Sequence, residues 1–252
     1  MKKVNFYIDG FNVYHPIDEY QKRKGICLKW LDYKSLCSSF LKEDEEIGTI
    51  YFFTAIRKDY KSTKPEKFRR HKVFIKALKN QGIEVVEGRF LRKVKRIYCE
   101  VGNCSNAKNP NFDNSFDLTF REEKRTDVNV ACHLVRDAFL SERKEDTRGF
   151  DKAYIFSADT DLVPAIEIVR KYFDNKKLVI ATLPSRWSER DNKFYFPKIE
   201  DLIKASSSKL LKLNFHRLKN HLLPKTLKTK AGKFINMPES YLSKEDLLGK
   251  DI

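Results

Sequence analysis

The stretch Ala153-Tyr154-Ile155-Phe156-Ser157-Ala158-Asp159-Thr160-Asp161-Leu162-Val163-Pro164 constrains this chain more than any other. Residues 153–157 are apolar or small and rich in β-formers, the pattern of a strand buried on both faces. Two carboxylates, Asp159 and Asp161, follow at spacing i, i+2. Beyond them residues 163–171 have helical character, with Pro164 well placed for a first turn. In open α/β sheets ligands collect at such carboxyl ends of strands. No apolar contact accounts for two acids at the mouth of a buried strand.

A second strand ends the same way. Val4-Asn5-Phe6-Tyr7-Ile8 is followed by Asp9-Gly10-Phe11-Asn12-Val13-Tyr14. Gly10 permits a tight turn or a close backbone approach. Asn12 can coordinate a hard cation through its amide oxygen or hydrogen-bond a phosphate. An Asp-Gly turn without chemistry is the plainer alternative.

The remaining elements alternate. Residues 31–41 read as a helix and 47–55 as the next strand. Residues 64–81 form a long basic helix, with Pro65 near its start, apolar positions at Phe68, Val73, Phe74, Ile75 and Leu78, and Gly82 as its cap. Residues 83–90 read as one strand running into the basic Arg92-Lys93-Val94-Lys95-Arg96. Residues 99–120 read as irregular. Cys99 and Cys104 are spaced too widely for a common zinc pair, and Cys132 and His133 lie on a helix, so reduced thiols are the better reading. Thr126 suits an N-cap, which puts Asp127 in a first helical turn where a carboxylate is favoured for structural reasons alone. The buried stripe of that helix is Val130, Leu134, Val135, Ala138 and Phe139. Residues 177–182 give a fifth strand. Residues 184–196 mix Arg186, Trp187, Arg190, Tyr195 and Phe196, which suit stacking on bases. A basic tail broken by Pro224, Gly232 and Pro238 follows.

This alternation predicts an α/β fold with a doubly wound, mainly parallel five-stranded sheet of order 3-2-1-4-5 flanked by helices. Strands 1 and 4 then meet at the switch point, so Asp9, Asp159 and Asp161 converge, and Asp127 can reach them. Four carboxylates in one pocket repel unless a cation lies between them. Mg²⁺ or Mn²⁺ suits such an oxygen set.

Charge points to the partner. The chain carries a net +16 over 252 residues. Residues 57–96 hold 15 Lys/Arg against 4 Asp/Glu, and residues 204–252 hold 11 against 4. Basic blocks on a near-neutral body favour a polyanion, with solubility as the bland alternative. The length suits a domain over residues 1–205 and a basic extension over 206–252. No apolar run is long enough to cross a membrane, and the first residues lack the apolar core of a signal peptide. With five irregularly spaced Cys, a reducing cytoplasm is expected.

Three stretches together resemble the NYN-domain family, PIN-like nucleases related to the bacterial LabA group. They are residues 6–14, Glu123-Lys124-Arg125-Thr126-Asp127-Val128, and residues 156–164, in the family's order. The resemblance covers about residues 3–205 and implies a metal-dependent endoribonuclease acting on single-stranded RNA. Asp9, Asp127, Asp159 and Asp161 match the metal-binding acids, with Asn12 beside them and Ser157 as the small hydroxyl residue. Ala158 departs from the family, where many members have Gly. Lys124 or Arg125 would balance charge on the scissile phosphate, and Arg69, Arg70 and Lys76 would follow the RNA backbone. The extension would dock on the body or contact a protein partner or a second copy. A non-catalytic RNA- or nucleotide-binding module is the alternative. A phosphohydrolase of the haloacid dehalogenase type fits Asp159-Thr160-Asp161 only loosely.

Overall fold

The structure, a computed structural model, describes residues 1–98, 115–143 and 147–241. The first half of the chain runs β1 (Lys2–Asp9), α1 (Gly10–Lys24), α2 (Tyr33–Ser38), β2 (Glu45–Thr54), α3 (Tyr60–Thr63), α4 (Pro65–Asn80), β3 (Glu84–Glu87) and β4 (Arg89–Tyr98). It continues as β5 (Ser115–Lys124), α5 (Thr126–Leu140), β6 (Lys152–Phe156), α6 (Val163–Tyr172), β7 (Lys177–Thr182), β8 (Arg186–Ser188) and β9 (Lys193–Tyr195). The last elements are α7 (Glu200–Ser206), β10 (Leu211–Lys212), α8 (Phe215–Lys219), β11 (Thr226–Lys228) and β12 (Phe234–Asn236).

The main sheet is parallel and flanked by helices, so the α/β class holds. It has six strands among the described residues, in the order β3-β2-β1-β6-β7-β10. This corrects the five-stranded sheet and its order. An inserted antiparallel ribbon, β4 with β5, interrupts the alternation, and β10 adds an edge too short to register as a pattern. β1 lies at the centre, in register with both β2 and β6. Its residues from Val4 to Asp9 are buried, as a strand covered on both faces requires.

Alternating side chains divide the core between the two faces. Phe6 and Ile8 enter the layer under α1 and α2, where Phe6 stacks on Tyr154 with ring centres 5.1 Å apart. Tyr7 enters the layer under α5 and α6 and stacks on Tyr51 at 5.3 Å. Tyr7 also donates a 2.8 Å hydrogen bond to Asp137, a fully buried acid that pairs with Arg136 at 2.7 Å. A third cluster of Trp30, Ala77, Leu223, Ile235 and Tyr241 fastens the chain beyond residue 220 to α4.

Several local readings need correction. The helix expected over 31–41 is confined to α2 because Asp32 caps it, accepting from the Ser35 backbone N–H at 2.8 Å. The strand expected over 83–90 breaks at Gly88. An added Cβ there would stand 2.7 Å from Thr126 Oγ1 and 2.8 Å from the Lys124 carbonyl, so only glycine lets the chain leave the sheet this close to the start of α5. The stretch 99–120 is not irregular throughout, since its residues from Ser115 onward belong to β5. Phe139 is 56 % exposed, and Asp137 takes its place in the buried stripe of α5. Cys27, Cys37 and Cys132 are free thiols, whereas Cys99 and Cys104 lie outside the described residues. No helix among the described residues is long and apolar enough to cross a membrane.

Candidate functional site

The carboxyl ends of β1 and β6 meet at the switch point of the sheet. Asp9 ends β1, is 2 % exposed, and caps α1. Its Oδ1 accepts from the backbone N–H groups of Phe11 at 2.9 Å and Asn12 at 3.1 Å. Its Oδ2 accepts from the Asn12 side-chain amide and, at 3.5 Å, from the Ser157 hydroxyl. Gly10 is required at this turn, because an added Cβ would lie 2.7 Å from the Phe53 carbonyl and 2.8 Å from the Phe52 ring.

Asn12 and Ser157 tie the two strand ends together. Asn12 Oδ1 accepts from the Ala158 N–H at 3.1 Å, and Ser157 Oγ accepts from the Asp159 N–H at 3.1 Å. Asp159 in turn accepts from the Asp161 N–H at 2.9 Å, capping the short 3-10 turn Thr160–Leu162. The Asn12 amide oxygen is thus engaged by the protein itself, and Asn12 acts as a positioning residue.

Asp127 comes from the first turn of α5. The helix cap differs from expectation. Thr126 is the first helical residue, and Arg125 holds the cap position at φ 80°. That left-handed backbone is strained for a residue with a side chain. Glu123 closes the helix end instead, accepting from the Thr126 N–H at 3.2 Å and from its hydroxyl. This arrangement brings the Asp127 carboxyl under the electrostatic influence of Asp159 and Asp9. Burial, then the carboxylates of Asp159, Asp9 and Glu123, push the Asp127 carboxyl up to about 7. Burial likewise raises Asp9, against the lowering effect of its hydrogen bonds.

The cluster is therefore Asp9, Asp127 and Asp159, with Glu123 as its fourth acid. Asp161 is exposed and lines an open groove with Pro164, Glu167 and Lys204. Among the described residues no three His, Cys, Asp or Glu side chains are arranged to hold a metal ion. Glu123 was legible only as part of a motif; its contact with Thr126 depends on the ribbon folding back.

The cationic residues scatter. Lys124 pairs with Glu122 at 2.6 Å. Arg125 is exposed beside the cluster. Arg69 pairs with Glu66 at 3.1 Å, and Lys76 is exposed. Arg70 differs: it is half-buried, its guanidinium lies 5.2 Å from the Tyr241 ring centre, and it donates to Ser240 at 3.2 Å. It lines a cavity of about 570 Å³ together with Gly10, Phe11 and Glu123, so this space borders the acidic cluster.

No family model matches the chain. The protein is similar to 6-hydroxy-3-succinoylpyridine 3-monooxygenase HspA of Pseudomonas putida (strain DSM 28022 / S16), at 26 % identity over an alignment of 267 positions that covers 98 % of this chain and 77 % of the relative. Among solved structures it is similar to VPA0982, a protein of unknown function from Vibrio parahaemolyticus RIMD 2210633, with a TM-score of 0.48 and 15 % identity over 88 % of this chain and 96 % of the other.

Proposed function

We propose that this protein is a divalent-cation-dependent endoribonuclease of the NYN-domain, PIN-like kind that hydrolyses phosphodiester bonds in single-stranded RNA at Asp9, Asp127 and Asp159. The observation that supports this reading most is the Asp127 carboxyl, which burial and then the neighbouring acids push up to about 7 at the switch point of the sheet. Strongly perturbed acids in such a position are where chemistry is expected. The exposed cations of α4 offer the RNA backbone a path nearby.

The donors fit a hard cation in kind, being carboxylate oxygens. Asp127 and Asp159 would hold it, since both oxygens of Asp9 already accept hydrogen bonds from the chain. Bound there, Mg²⁺ or Mn²⁺ supplies an activated water and stabilisation of the leaving oxygen. With the cation held there, Asp127 would be an ionised ligand, and its carboxylate oxygens would accept a hydrogen bond from the attacking water and orient it. Asp9 anchors the start of α1, and Asn12 and Ser157 hold the Asp159 turn against it. Arg125, exposed at the α5 cap, faces incoming phosphate. Asp161 has no direct role in this arrangement.

The test is incubation of the pure protein with end-labelled single-stranded RNA in Mg²⁺, Mn²⁺ or EDTA. Cleavage only with metal is expected. Equal cleavage in EDTA, or none with either metal, counts against the reading.

A second reading rests on the likeness to a monooxygenase across 98 % of the chain. In it, O₂ delivers one oxygen atom to a heteroaromatic ring and the other to water, with two electrons from a hydride donor. Oxygen uptake dependent on NADH and a hydroxylated pyridine would favour it over hydrolysis.

A further inference from the structure

We propose that the cavity bordered by α1, α4 and the β4–β5 ribbon binds a planar aromatic ring that carries an anionic group. The inference stands on the lining of the cavity and holds whether or not the neighbouring acids cleave RNA. The cavity, of about 570 Å³, has the size of a small-molecule site.

The walls are rings. The Arg57 guanidinium lies 4.3 Å from the Tyr60 ring centre and 5.4 Å from that of Phe90, and Phe11 meets Phe90 edge-on at 5.9 Å. Phe68 lines the space without a ring contact of its own among the described residues. The Phe68 ring is therefore open to a flat ligand that stacks on it, beside rings already ordered by their own contacts.

The charge of the lining is cationic. Arg57 and Arg121 share a single acid, Asp59, at 2.9 and 3.2 Å, which leaves an excess of positive charge. Lys67 and Arg70 have no carboxylate partner among the described residues. Arg70 is held by the Tyr241 ring and Ser240, so its donors are already oriented, and an ordered guanidinium suits carboxylate or phosphate oxygens. Glu123, the acid of the lining, is turned to the start of α5. His71 adds a polar edge without charge. Its Nε2 lies 3.2 Å from the Thr54 hydroxyl, and burial holds its imidazole down at about 4. Tyr241 is buried against Trp30, so the docked tail completes the cavity.

A ring joined to an anion describes a nucleotide and a free aromatic carboxylate alike. The full chain, in EDTA, is titrated calorimetrically with 5′-AMP and 5′-UMP in one arm and with benzoate and 2-naphthoate in the other. Adenosine, uridine and benzyl alcohol serve as neutral counterparts. Saturable binding at one site is expected in at least one arm, with the neutral counterparts about tenfold weaker or worse, as loss of a charged hydrogen bond implies. Phe68→Ala and Arg70→Gln are each expected to weaken binding about tenfold, the scale of one stacking or charged contact. If Arg70→Gln lowers the melting temperature by loosening the tail, Lys67→Gln, at an exposed position, takes its place. Binding confined to the nucleotide arm identifies nucleic acid as the source, and binding confined to the other arm identifies a free aromatic acid. No saturable binding in either arm overturns the proposal, as does binding that both cavity variants leave unchanged.

Discussion

Replacing Asp127 with Asn removes one charge from the acidic cluster at nearly constant shape. In the wild type, burial and the carboxylates of Asp159, Asp9 and Glu123 raise this group from 3.8 to about 7. The native protein therefore keeps a proton that the unfolded chain has already released. Stability falls as pH rises from about 4 to about 7 and levels off above that. Taken at face value the shift is worth about 4 kcal/mol. Asp127 is only half-buried, and screening by water reduces this to about 1–2 kcal/mol. The variant is expected to match wild type near pH 4 and to exceed it by about 1–2 kcal/mol above about pH 7.5, roughly 2–8 °C in melting temperature. If Asp127 holds the cation as proposed, saturating Mg²⁺ is expected to reverse the order, because a hundredfold excess over Kd adds about 2.7 kcal/mol to the protein that binds it. Thermal melts of both proteins across this pH range, with EDTA and with Mg²⁺, provide the measurement. A difference that stays constant with pH, or a variant less stable than wild type in EDTA at high pH, refutes the reasoning.

Asp161 is exposed and outside the cluster, so Asp161→Asn is expected to stay within about 0.5 kcal/mol of wild type at every pH; a pH-dependent gain like that of Asp127→Asn would place it inside. At Gly88 an added Cβ meets the Lys124 carbonyl at 2.8 Å. Backbone yields little, so Gly88→Ala is expected to cost about 1–3 kcal/mol in urea denaturation. It should also move the start of α5, and with it the pH midpoint of any cleavage; unchanged stability would mean that the ribbon can shift. Charge reversal at Arg69, Arg70 and Lys76 is expected to flatten the salt dependence of RNA binding by about 0.7 per lost phosphate contact, read from binding isotherms at several salt concentrations. An unaltered slope would move the RNA path off α4.

How much was legible follows from the range of the interactions involved. The strand–acid–helix segments at Asp9 and Asp159 are local patterns, and the structure forms both, with the two strands paired as parallel neighbours. Asp127 could be placed in a first helical turn from its neighbours in sequence. Asp161 could not be separated from Asp159, because the 3-10 turn that points it away is capped by Asp159 itself. Beyond Phe90, β4 and its partner β5 escape a sequence reading because they pair with each other apart from the main sheet and carry many charged residues, which hides the period of a strand. β10 consists of two residues and is a strand only because β7 lies beside it. The cavity was invisible for the same reason: Phe11, Phe68, Phe90 and Tyr241 come from four separate segments. Its nearest signal was the pairing of aromatic with basic residues through 57–70.

The proposed cleavage requires the acids of the two strand ends to act together. The most direct measurement is the single-turnover rate on labelled single-stranded RNA in Mn²⁺ for wild type and for Asp159→Asn, whose folds are first shown to match by circular dichroism. The predicted result is a fall of about 10²-fold or more, the scale of losing one group that acts on the reacting atoms. A variant that cleaves within about twofold of wild type would contradict it, since a change that small lies below the effect of any one acid–base group.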